Sequence, residues 1–131
     1  MVFRRLMYVG LLGVVLAGCQ MGTGMYGGSN GGGTVKGSGF NGTNMAGIAI
    51  SGFAFSPSTV TFPASNNVTV TWTNYDGILH SVTPDAGNTL PSFGSDVTSS
   101  YSYAVPSNTP PGTYSYHCRI HTYMTGSITV H

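Results

Sequence analysis

From Ala46 onward, apolar and polar positions alternate with a period of two. Val68, Val70 and Trp72 alternate with Thr69, Thr71 and Thr73. Val97, Tyr101, Tyr103 and Val105 fall on one parity, with Thr98, Ser100 and Ser102 on the other. Tyr114, Tyr116 and Cys118 share a face opposite Thr113, Ser115 and His117, and Ile128 and Val130 alternate with Ser127 and Thr129. Successive side chains of a strand point to opposite faces, so each run predicts a half-buried strand. Val60 with Phe62, and His80 with Val82, add two shorter ones. Between Ile50 and Phe53 the apolar parity flips, which predicts a bulge at Gly52. Ser56-Pro57, Asn66-Asn67, Asp76-Gly77, Pro84-Asp85-Ala86-Gly87 and Pro110-Pro111-Gly112 punctuate the runs as turns. No window of helical length carries a 3.6-residue apolar stripe. The pattern therefore predicts an all-β domain, an antiparallel Greek-key β-sandwich of about seven to eight strands, over residues 46–131.

The chain before Ala46 reads differently. Arg4 and Arg5 precede an apolar run from Leu6 to Leu16. At about 11 residues this run is too short for a membrane-spanning helix, which needs roughly 20, and fits the core of an export signal. It ends in Leu16-Ala17-Gly18-Cys19, which resembles a bacterial lipobox. The reading is a lipoprotein signal peptide at 1–18, with Cys19 the lipidated first residue of the mature chain. Residues 20–45 hold ten glycines and no apolar pattern. Such a segment cannot bury enough apolar area to offset its ordering entropy, so 19–45 is expected to be a flexible tether. The protein is then exported and lipid-anchored to a bacterial membrane, with its domain in the periplasm or on the cell surface. Attachment by acyl chains anchors without spanning.

Composition narrows the function. Charged residues make up only 5% of the chain: Arg4, Arg5, Lys36 and Arg119 against Asp76, Asp85 and Asp96. So few charges exclude a basic nucleic-acid surface and an acidic tail. Only Cys19 and Cys118 are cysteines. With Cys19 lipidated, Cys118 stands unpaired in an oxidising compartment, a liability unless something occupies it.

The neighbours of Cys118 suggest what does. Cys118-Arg119-Ile120-His121-Thr122-Tyr123-Met124 sets a thiolate, an imidazole and a thioether on one short loop. His80 shares the inward parity of Val82 on a different strand. Two His, one Cys and a weak Met are the donor set of a mononuclear type 1 (blue) copper site. The thiolate binds strongly, imidazole suits both oxidation states, and the soft thioether favours Cu(I). Taken singly, each residue has a plainer reading: an inert buried thiol, a structural histidine, a methionine filling the core. His117 faces outward by parity and reads as a surface residue.

Over residues 46–131 the sequence resembles the cupredoxins, especially plastocyanin and amicyanin. The residues that carry the resemblance are Gly112-Thr113-Tyr114-Ser115-Tyr116-His117-Cys118, then His121 and Met124, and upstream Trp72-Thr73-Asn74-Tyr75-Asp76 with His80. The Cys-x2-His-x2-Met spacing is amicyanin-like. The resemblance implies copper ligation by His80, Cys118, His121 and Met124, and a one-electron carrier, likewise a non-enzyme. Family members often carry Asn after the first His, where this chain has Ser81. The backbone N–H there can still donate to the Cys sulfur, but the side-chain tie to the second ligand loop is put in doubt. The implied partners are redox proteins such as a cytochrome, dehydrogenase or oxidase, docking on a monomer at the His121 edge. Ile78, Leu79, Leu90, Pro91, Phe93, Ile120 and Tyr123 are expected to form that apolar surface. Copper storage or delivery is the alternative function. A multicopper oxidase needs several His-x-His pairs, which four histidines in all do not supply.

Overall fold

The computed structural model describes residues 37–42, 44–64 and 66–131. The signal segment, Cys19 and the first part of the expected tether lie outside the described residues. Ten strands are described: β1 (Gly39–Phe40), β2 (Met45–Ile50), β3 (Phe55–Ser56), β4 (Thr59–Phe62), β5 (Thr69–Asn74), β6 (His80–Pro84), β7 (Ser95–Val97), β8 (Ser100–Ala104), β9 (Gly112–His117) and β10 (Thr125–Val130). No helix occurs among the described residues. One sheet runs β1-β2-β5-β8, with β3 also paired to β2, and the other runs β4-β10-β9-β6-β7. The fold is the expected all-β sandwich.

Its core follows from the alternation. Val68, Val70, Trp72, Tyr114, Tyr116, Ile128 and Val130 are all buried, while the threonines and serines between them stay partly or fully exposed. Trp72 organises the interior. Its indole donates to the Tyr116 hydroxyl at 3.1 Å, and its ring stacks on Tyr101 at 5.4 Å. Burial pushes the Tyr116 phenol well above its ordinary value despite the Trp72 hydrogen bond, so it stays a neutral partner. Among the described residues, every buried side-chain nitrogen and oxygen has a hydrogen-bond partner, as a small core needs.

Four features depart from the pattern reading. Gly52 is not a bulge: Ser51–Ala54 is a hairpin turn, after which β3 folds back on β2 with Ala49 opposite Ser56. The run from Val97 to Val105 is two strands. The chain breaks at Thr98-Ser99 and passes from β7 in one sheet to β8 in the other. The pairing is mixed, since β2 with β5 and β4 with β10 are parallel. Finally, strand structure begins before Ala46. Gly39 and Phe40 pair with Gly47 and Ala46, and the Phe40 ring lies 5.7 Å from Phe62.

Candidate metal centre

His80 is the first residue of β6 and is fully buried. Cys118 follows the last residue of β9, and Met124 precedes the first of β10. These two strands are antiparallel neighbours, so the loop between them must turn tightly. It does so with two backbone hydrogen bonds: Met124 N–H donates to His121 O (2.8 Å), and Cys118 N–H donates to Met124 O (3.0 Å). The loop thereby turns the Cys118 sulfur and the His121 ring toward β6, which lies beside β9. Met124 is also buried.

The result is a triangle of donors. Cys118 Sγ lies 3.9 Å from His80 Nδ1 and 3.7 Å from His121 Nδ1, and the two Nδ1 atoms are 3.2 Å apart. A zinc-like first-row ion sits about 2.0–2.1 Å from imidazole nitrogen and about 2.3 Å from thiolate sulfur. A trigonal arrangement of such bonds sets the nitrogens about 3.5 Å apart and each about 3.8 Å from sulfur. The three donors therefore fit one ion, and two imidazoles with a thiolate are the set that suits copper.

The sulfur environment favours the reactive form. Burial pushes the Cys118 thiol up, but backbone N–H groups of Ser81, His121 and Ile120, with the Ser81 hydroxyl, more than offset it. The thiol ends below its ordinary value. The Ser81 N–H reaches the sulfur at 3.4 Å. Ser81 also ties the two ligand segments together, because its Oγ accepts the Arg119 N–H at 2.9 Å. The serine thus supplies a side-chain tie at the position where the family pattern has Asn.

His80 is oriented from behind. Its Nε2–H donates to Asp76 Oδ2 at 3.0 Å, so in the neutral ring Nδ1 keeps its lone pair for the sulfur side. Burial pushes the Asp76 carboxyl up, yet the N–H groups of Phe53 and Gly52 and the His80 ring outweigh it and hold the carboxyl below its ordinary value. Asn74 braces the same corner. Its Nδ2 donates to Ile78 O and Val97 O, and its Oδ1 accepts the Asp76 N–H.

His121 is half-buried and sits among rings. Phe53 is edge-on at 4.9 Å and Tyr123 lies at 6.4 Å. Exposed apolar side chains cluster by sequence around the two imidazoles: Ile78 and Leu79 before His80, Ile120 and Tyr123 beside His121. Leu90 and Phe93, expected in this surface, belong instead to the core. Phe93 packs on Trp72, Tyr103 and Tyr116, which draws it inward. Sequence reading missed Phe53 and the bond from Asp76. The four-residue step from Asp76 to His80 was a usable signal, whereas Phe53 was hidden by the bulge reading. His117 does face outward, half-buried, and its Nδ1 pairs with Asp85.

No protein-family model matches the chain, and no curated protein sequence does. Solved structures do. The reduced state of an amicyanin variant matches at TM-score 0.53 and 27% identity, covering 65% of this chain and 80% of that one. A purple cupredoxin from Nitrosopumilus maritimus matches at 0.53 and 25%, covering 66% and 99%. The chain is cupredoxin-like. A copper-containing nitrite reductase (NirK) from Thermus scotoductus also matches, at TM-score 0.55 and 25% identity over 65% of this chain. The chain spans only 22% of that enzyme's length.

Proposed function

We propose that the chain is a one-electron carrier that holds a single type 1 copper through His80, Cys118, His121 and Met124. The observation that supports it best is the triangle of one thiolate-favouring sulfur and two imidazole nitrogens, all within 4.8 Å of one another. Copper bound there supplies a one-electron Cu(I)/Cu(II) couple. The chain's own contribution is rigidity. His80 is fixed by Asp76, the sulfur by Ser81, and the loop by its two backbone bonds, so the donors have little freedom to rearrange. Met124 offers the fourth, weaker donor. Of the three donors in the triangle, only His121 is less than fully buried, so its edge is the natural point of electron entry and exit.

The partners would be redox proteins, such as a cytochrome, dehydrogenase or oxidase, that dock weakly through a small contact on the exposed apolar side chains beside His121. We place the domain outside the cytoplasm on a lipid at Cys19, a reading supported by the Leu-Ala-Gly-Cys ending of the apolar run. The carrier reading also makes the chain no enzyme on its own. Four histidines leave too few ligands for a trinuclear cluster once His80 and His121 are used.

Storage or delivery of copper is the competing use of the same donors. Two rates separate them in the copper-loaded full chain. A carrier exchanges electrons between its Cu(I) and Cu(II) forms much faster than it yields the metal to a soluble thiol acceptor. Rapid metal transfer with slow electron self-exchange would replace the carrier reading with delivery.

A further inference from the structure

The turn between β2 and β3 carries an aromatic residue in a conformation that suits glycine. Gly52 and Phe53 have φ of 61° and 59°. Glycine adopts this left-handed region freely, while a bulky side chain does so at a cost. Two successive left-handed residues aim consecutive N–H groups to one side, a concave seat for an anion. The Asp76 carboxylate fills that seat. Oδ1 accepts the Gly52 N–H at 2.6 Å and Oδ2 accepts the Phe53 N–H at 3.0 Å. The same Oδ2 accepts the His80 Nε2–H. One carboxylate therefore fixes both a candidate ligand and the turn that lies over it.

The strained residue gains no deep burial, since Phe53 is 41% exposed. What its position achieves is contact with both imidazoles. Its ring stands edge-on to His121 at 4.9 Å with an interplanar angle of 85°, and to His80 at 5.8 Å and 77°. Tyr123, the other ring beside His121, is more distant and 70% exposed. Backbone strain that persists beside a functional group points to a role for the side chain it positions.

We propose that the Asp76-held turn is a retention lid: the Phe53 ring blocks the outward swing of His121 and so sets how fast a bound metal ion leaves. Phe53 is a positioning residue acting through His121. The proposal rests on the reading that His80, Cys118 and His121 bind copper.

The test uses the full chain loaded with Cu(II), challenged with excess EDTA and followed by the decay of thiolate–copper absorbance. Phe53→Gly removes the ring while suiting the backbone, so it tests the lid without endangering the fold. It is expected to release copper about 2- to 10-fold faster, the scale of an edge-on ring contact. Phe53→Tyr restores the wild-type rate. Thermal unfolding of the metal-free Phe53→Gly chain stays at or above wild type, separating the lid from a general loss of stability. Equal release rates for wild type and Phe53→Gly would overturn the lid, as would a Phe53→Tyr chain as fast as Phe53→Gly. If the wild-type chain gives no thiolate–copper absorbance, it is the copper reading that fails. The lid contact is then judged in the metal-free protein. A shift of the His121 ring-proton signals in Phe53→Gly supports it, and unmoved signals overturn it.

Discussion

The two imidazoles of the candidate centre are held by opposite means. His80 is fully buried at the head of a strand, and a carboxylate fixes its far nitrogen. That carboxylate itself accepts from two backbone N–H groups, and the Asp76 backbone N–H donates to Asn74 Oδ1. His121 lies on a loop at the surface, steered by ring packing from Phe53 and Tyr123. Directional bonds in a buried setting fix an orientation strongly, whereas ring contacts at the surface restrain it weakly. The difference teaches how one site can be both rigid and accessible. The interior side sets the geometry, and the rim side lies nearer the solvent.

Removing the two rings should expose this difference most sharply. His121→Gly leaves an opening reached from solvent, so added imidazole should restore the thiolate–copper spectrum. His80→Gly leaves a sealed cavity behind a fully buried position and removes the ring that Asp76 holds, and imidazole should not restore it. Equal rescue of both variants, read by visible absorption, would break the comparison. Asp76→Asn comes next. Losing the carboxylate behind a metal-binding histidine typically costs 10–100-fold in metal affinity. A chelator competition should show a loss of about that size, with no comparable loss for Asp85→Asn, whose partner His117 lies outside the donor triangle.

Below the site, Tyr116→Phe leaves the Trp72 N–H buried without an acceptor. Stability should fall by about 1–3 kcal/mol in denaturant unfolding, while the copper spectrum stays as in wild type. On the rim, Arg119 donates through Nη2 to both oxygens of Asp96, with both side chains about half exposed. Exposed pairs of this kind contribute little, so Arg119→Ala should leave the unfolding midpoint unchanged. A clear loss would mean that the rim is held as firmly as the interior.

Much of this was legible in the residues. The Cys118, His121 and Met124 spacing fits a short loop between antiparallel strands, and the parity of His80 with Val82 sends its ring inward. The sandwich was legible in the Val-Thr and Tyr-Ser alternations, because alternation reports which face is buried. It does not report which strand lies alongside. Hence the parallel pairs of β2 with β5 and β4 with β10 were not visible. A continuous parity from Val97 to Val105 concealed the passage between sheets for the same reason. The parity flip at Gly52 is produced equally by a bulge and by a hairpin turn, and choosing the bulge hid Phe53. Nearness in sequence to the ligand loops predicts Leu90 and Phe93 at the surface. Their burial depends on Trp72 and Tyr103, contacts that exist only once the sheets pack.

The central claim is that Cys118 and the two imidazoles bind copper as a thiolate centre. The most direct measurement is the visible and electron paramagnetic resonance spectrum of the full chain with one equivalent of Cu(II), beside Cys118→Ser. The account predicts intense visible absorption with narrow copper hyperfine splitting, both lost in the variant. A colourless protein with an ordinary cupric signal, the same in both chains, would contradict it.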